Sequence, residues 1–151
     1  MNLQEQLALG IAIAVKAHGD QFDKGGKPYI LHPLHLMNQC LFNTQLATIA
    51  VMHDVIEDSI YTVEDLVITG FNERVCNALE LLTHKPNQDY LESYIPSMKS
   101  NFDAIRVKLK DLEHNSDITR LKGIKNGDTE RMIKYHKAFV MLTKYKQHFN
   151  W

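Results

Sequence analysis

The run His53-Asp54-Val55-Ile56-Glu57-Asp58 sets four ionisable side chains at the end of an otherwise apolar stretch, Leu46, Ile49 and Ala50. Unpaired charges are costly to bury, so such a cluster needs a partner. On a helix, residues four apart share a face, which places His53 above Glu57 and Asp54 above Asp58 in two adjacent polar stripes. A divalent cation is a suitable partner. A His-Asp dipeptide alone is explained equally by a capped, solvent-facing helix end. Two further residues shift the reading: His32, between Tyr29-Ile30-Leu31 and Pro33, and Asp111, in the stripe Ala104, Val107, Asp111. Each puts a ligand-type side chain where packing would favour leucine.

Two imidazoles and two carboxylates make a mixed nitrogen and oxygen shell, which suits manganese, iron or zinc. Four protein ligands on an octahedral ion leave positions for water and substrate. Water on such a cation loses a proton more readily than bulk water, and the cation neutralises phosphoryl charge. Hydrolysis of a phosphate ester or pyrophosphate is the natural chemistry.

The elements that must position these residues read as helices. Leu3, Leu7, Ala8, Ile11, Ala14, Val15 and His18 follow helical spacing. Gly19 to Tyr29, with Gly25, Gly26 and Pro28, reads as a loop. Pro33 suits a first helical position, and Leu34, Met37, Cys40 and Leu41 continue from it. After a break at Asn43-Thr44, the stripe from Leu46 predicts a helix to about Asp58. Thr62-Val63-Glu64-Asp65 reads as a capping box. Val75 to Leu82 predicts a helix ended by Pro86, and Tyr90 to Met98 another that Pro96 disturbs. Ala104 to Leu112 predicts a long helix running toward Leu121. Asp128 or Thr129 would cap a last one carrying Met132, Tyr135 and Phe139. No strand alternation competes. The expected fold class is all-α, a single-domain bundle of about seven or eight helices spanning 1–151.

With 17 basic and 18 acidic residues in 151, the formal charge is -1, which argues against wrapping a DNA or RNA duplex. Cys40 and Cys76 sit in apolar helical patterns and read as reduced core thiols. The N-terminal stretch lacks a basic leader, and no segment approaches the roughly 20 apolar residues of a membrane span. A cytoplasmic protein with a small-molecule partner and no membrane contact is expected.

Three ordered motifs carry a resemblance. Lys24-Gly25-Gly26-Lys27-Pro28-Tyr29-Ile30-Leu31-His32-Pro33, then His53-Asp54-Val55-Ile56-Glu57-Asp58, then Val107-Lys108-Leu109-Lys110-Asp111 with His114-Asn115, together resemble the HD-type hydrolase domain of Rel/Spo alarmone enzymes. The resemblance covers roughly Leu7 to Leu121 and in length is similar to the stand-alone small alarmone hydrolases. It implies an HD-domain phosphohydrolase that removes the 3′-pyrophosphate of (p)ppGpp-like nucleotides with a divalent metal, manganese, as cofactor. It further implies that His32, His53, Asp54 and Asp111 are the ligands and that Glu57 and Asp58 handle water and leaving group. Asn115 would contact the nucleotide sugar, and Lys24 and Lys108 would meet phosphates or shape the pocket.

Two departures bear on substrate identity more than on metal chemistry. The family's loop begins with Arg-Lys, whose guanidinium stacks on guanine, whereas this chain has Asp23-Lys24, and an acid offers no cationic plane. The residues after Asn115 are Ser116-Asp117-Ile118 instead of Met-Arg-Thr. An HD-type phosphohydrolase acting on another nucleotide or a phosphomonoester is the first alternative, and a non-catalytic nucleotide sensor the second. Arg120, Lys122, Lys125 and Arg131 read as a solvated face. Tyr90, Tyr94, Tyr135 and Phe139 read as core. His114 is assigned no metal role, and nor are His18, His35, His84, His136 and His148.

Overall fold

The computed structural model describes residues 1–149. Helix α1 (Leu3–Ala17) is opened by a reciprocal cap in which Asn2 accepts from the Glu5 N–H and Glu5 accepts from the Asn2 N–H. A loop leads to α2 (Leu31–Asn38), and Asn43 caps α3 (Thr44–Met52) by accepting from the Leu46 N–H. Short α4 (Val55–Asp58) follows, then α5 (Val63–Thr69) under the expected Thr62–Asp65 box, and α6 (Glu73–Leu82). A single wide turn of π geometry, Tyr90–Tyr94, runs into α7 (Ile95–Ser97) at Pro96, where proline withholds its N–H from the ladder. Helix α8 (Phe102–Asn115), a 3-10 turn Ile118–Arg120 and the long α9 (Asn126–Lys146) complete the chain.

Helix α3 is the axis of the bundle. Leu46 through Met52 are all buried, so the helix is apolar all round and must be enclosed on every side. Helices α1, α2, α6 and α8 pack against it. Its one buried hydroxyl, Thr48, donates to the Thr44 carbonyl and leaves no polar group unpaired. The surrounding side chains, among them Leu36, Leu79, Ile105 and Leu112, form one connected apolar cluster. All-α class is borne out: among the described residues the strand geometry amounts to an isolated bridge between Phe22 and Pro28. With α3 and α4 taken as one broken helix, the α-helices among the described residues number eight, within the expected seven or eight.

The structure moves several boundaries. Helix α2 begins two residues before Pro33, which is still within the first turn, where an N–H has no helical partner. The helix expected to run to Asp58 breaks at His53-Asp54. There the His53 ring turns back onto the Ala50 carbonyl, 2.9 Å away, the acceptor that a continuing helix offers to the Asp54 N–H. Helix α8 stops at Asn115 instead of running to Leu121, because the Asp117 carboxylate accepts from the Thr119 N–H and hydroxyl and starts a new turn. Asp128 does not precede α9. It lies inside the first turn and accepts from the Lys125 N–H.

Candidate metal centre and active site

Three parts of the bundle bring the four expected ligand side chains into one cluster, with ligand atoms of His32, His53 and Asp54 within 4.8 Å of one another and Asp111 beside the two imidazoles. His32 comes from the first turn of α2, His53 and Asp54 from the α3–α4 break, and Asp111 from near the end of α8. His32 Nε2 lies 3.2 Å from His53 Nε2 and 3.0 Å from Asp111 Oδ1. His53 Nε2 lies 2.8 Å from Asp54 Oδ2 and 3.6 Å from Asp111 Oδ1. Neighbouring donors on a cation with bonds of about 2.1 Å stand about 3 Å apart, so this spacing fits a coordination shell. The nitrogens and carboxylate oxygens present suit a divalent ion.

Hydrogen bonds behind the four fix their orientation, as ligating residues require. His53 Nδ1 donates to the Ala50 carbonyl, which turns Nε2 toward the centre. With Nε2 of His32 offering its lone pair there, His32 Nδ1 donates to His114 Nδ1 at 2.7 Å. His114 suits the acceptor role, since burial and then the Arg120 and His32 charges bring it down to about 4. The Tyr29 hydroxyl donates to Asp54 Oδ2. Asn115 Nδ2 donates to Asp111 Oδ1 at 2.7 Å, and Lys108 Nζ donates to Asp111 Oδ2 at 2.6 Å.

The buried charges of the cluster strongly perturb one another. Burial disfavours an imidazolium at His53, yet the Asp54 and Asp111 carboxylates outweigh it and push His53 up to about 10. Burial lowers His32. Burial would raise Asp111, but Lys108 and the two imidazoles hold it well below the usual carboxylate range. Asp58 is the opposite case: burial first, then Asp54 and Glu57, raise it to about 6. The Glu57 carboxylate accepts from the His84 N–H at 3.0 Å, which ties α4 to the segment after α6.

Two neighbouring cavities lie on this side of the bundle, and one of them reaches Asp54 and Asp111. An inner chamber of about 280 Å³ contains Asp54, Glu57, Asp58, Asp111 and Lys108. An outer cavity of about 330 Å³ is lined by the loop residues Phe22 to Gly25 and by Arg120, Arg131 and Met132. Tyr29, Asn115 and Tyr135 belong to both walls. Of the sequence-predicted substrate residues, Lys24 faces the outer cavity only, Lys108 the inner chamber only, and Asn115 stands between them.

No family model matches the chain. Over 80% of its length the chain is 30% identical to the guanosine-3′,5′-bis(diphosphate) 3′-pyrophosphohydrolase of Haemophilus influenzae, and over 82% it is 30% identical to the protein of that name from Borreliella burgdorferi. It spans about a fifth of their length, 19% and 20%. The structure matches that of a metazoan ortholog of SpoT described as hydrolysing ppGpp, with a TM-score of 0.73, 94% of each chain covered and 19% identity. The fold is that of a Rel/Spo-type HD hydrolase. The resemblance carried by the three motifs is thereby borne out.

Within that fold, several residues stand where the sequence reading did not put them. His114, given no role, holds the His32 ring. Arg120 and Arg131, read as a solvated face, line the outer cavity. Arg120 donates to the His114 carbonyl at 2.9 Å and to Asn115 Oδ1 at 3.2 Å, and its guanidinium pairs with Asp23 at 3.5 Å. Of the tyrosines read as core, Tyr94 is buried as expected, and Tyr90, Tyr94 and Tyr135 are all chamber walls as well. His84 is a chamber residue too. Periodicity gave no signal for Arg120, because it lies in a short 3-10 turn after a helix end.

The Gly-rich loop is fastened against that turn. A Cβ on Gly25 would stand 2.3 Å from the Arg120 carbonyl oxygen, so the close approach requires glycine. Gly26 has φ +81, in the left-handed region that glycine tolerates. Asp23 Oδ1 accepts from the Lys27 N–H at 2.9 Å. Burial tends to raise Asp23, but that bond and Arg120 keep it below its ordinary value.

Proposed function

We propose that the chain hydrolyses the 3′-pyrophosphate of (p)ppGpp-like nucleotides, using one divalent cation, manganese, held by His32, His53, Asp54 and Asp111. The observation that carries the reading is the clustering of these donors beside the inner chamber: His32, His53 and Asp54 lie within 4.8 Å of one another, and Asp111 stands 3.0 and 3.6 Å from the two imidazoles. When bound, such an ion acidifies a water and neutralises phosphoryl charge.

The chain's own residues do the rest. Water attacks the phosphorus bonded to O3′, the P–O3′ bond breaks, and the departing oxygen takes a proton. Asp58, raised to about 6, is the group suited to accept the water's proton near neutrality, with Glu57 beside it. Tyr29 keeps Asp54 oriented. Lys108 balances Asp111, so the transferred group meets less negative charge. The nucleoside lies in the outer cavity, against Lys24 and Asn115. The buried free thiols Cys40 and Cys76 accord with a cytoplasmic compartment. Among the described residues no helix is long and apolar enough to cross a membrane.

The test incubates metal-stripped protein with ppGpp, with and without manganese, and follows GDP and pyrophosphate. Equimolar release that needs the metal and is abolished in Asp54→Ala or His53→Ala is the expected result. If ppGpp is untouched while another nucleotide releases phosphate, the substrate assignment falls. The Asp23–Arg120 pair at the outer cavity is the observation that favours that second reading. Equal background rates for native protein and Asp54→Ala would identify a sensor.

A further inference from the structure

The inner chamber contains a cation that the mechanism above does not use. Lys134, on α9, lines it together with Asp54, Glu57, Asp58 and Asp111, yet it makes no ion pair among the described residues. Its ammonium instead faces aromatic rings, 4.7 Å from the centroid of Tyr90 and 5.7 Å from that of Tyr135. Lys108 Nζ lies 5.8 Å from the same Tyr90 ring, but it is occupied by Asp111 at 2.6 Å. The Tyr90 hydroxyl is buried with no hydrogen-bond partner. Buried polar groups nearly always have partners, so one without a partner beside a free ammonium points to a ligand that supplies the acceptor.

Position says which acceptor. With the reacting phosphorus at the four-donor centre and the nucleoside beyond Tyr29, Asn115 and Tyr135, the side left for the rest of the substrate is the inner chamber. We propose that Lys134 and the Tyr90 hydroxyl form a seat for the terminal phosphoryl group of the 3′-pyrophosphate, and for free pyrophosphate after cleavage. The inference rests on the hydrolase reading above and adds to it the discrimination of a pyrophosphate from a monophosphate. Lysine supplies a point charge and the phenol a single directed donor, a combination suited to the oxygens of one phosphoryl group.

The experiment measures binding of inorganic pyrophosphate and inorganic phosphate to the manganese-loaded protein by calorimetry, with manganese in excess of either anion. Lys134→Gln should weaken pyrophosphate about tenfold and phosphate by less than about twofold, while Lys134→Arg retains most of the affinity. Tyr90→Phe should weaken pyrophosphate with little change in melting temperature, since the hydroxyl it removes has no partner within full hydrogen-bond distance and only a weaker interaction with Lys108. Native protein that fails to bind pyrophosphate, or variants that bind it unchanged, would overturn the seat. Equal losses for both anions would overturn it as well. If ppGpp is hydrolysed but Lys134→Gln leaves pyrophosphate affinity intact, the seat alone is wrong. If ppGpp is not hydrolysed but the selective loss is seen, the seat stands and the hydrolase reading falls.

Discussion

Replacing Lys108 by methionine should destabilise the metal-free protein and at the same time tighten its hold on manganese. The Lys108–Asp111 pair is 2.6 Å long, with side chains only 11% and 5% exposed, so water cannot take over the role of the lost ammonium. Breaking one side of such a pair costs about 3 to 5 kcal/mol, because a carboxylate is left uncompensated. Methionine keeps much of the length and packs well against the Tyr90 and Tyr94 rings, so the lower end, about 3 kcal/mol, is expected. For a chain of this size that is a melting-temperature drop of roughly 6 to 12 °C. The released carboxylate is then freer to face a cation, so saturating manganese should narrow the deficit. If it narrows by about 1.4 kcal/mol, linkage requires manganese affinity to be about tenfold tighter in the variant. Urea unfolding with chelator and with manganese measures both halves. A metal-free loss below about 1 kcal/mol, or a loss that manganese leaves unchanged, would refute the reasoning.

Gly25→Ala forces its new methyl group against the Arg120 carbonyl, so the loop must part from the turn; nucleotide KM should rise severalfold with kcat changed less, as steady-state kinetics on ppGpp will show. Glu57→Gln keeps an oxygen to accept from the His84 N–H and should leave folding and metal uptake intact, while kcat falls about a hundredfold or more, to be checked by calorimetry beside turnover. Tyr94→Phe strands the buried Leu82 carbonyl that its hydroxyl serves, so urea titration should show a loss of about 1 to 3 kcal/mol with manganese affinity unchanged.

The residues that broke the apolar pattern were the readable ones. His32, His53, Asp54 and Asp111 stood out because each occupies a position where packing alone favours an aliphatic side chain, and the structure brings all four together. Capping chemistry was readable for the same local reason at Thr62–Asp65. The α3–α4 break was not, since it depends on the His53 ring reaching the Ala50 carbonyl, and periodicity registers side-chain burial, not a backbone carbonyl's choice of partner. Nor were His114 and Arg120 readable, whose roles come from hydrogen bonds across elements. Lys134 carries no signal in the sequence, because only the packing of α9 places it at the chamber.

The fastening of the glycine loop onto the turn before Leu121 divides the molecule's liabilities. The proposed metal ligands sit on and beside the helices packed at α3, where any change disturbs the bundle, whereas Asp23, Gly25 and Arg120 lie on two short connections at its rim. Exchanges confined to the rim can therefore reshape the outer cavity while the buried cluster around α3 keeps its geometry. The Asp23–Arg120 pair is a rim feature of this kind.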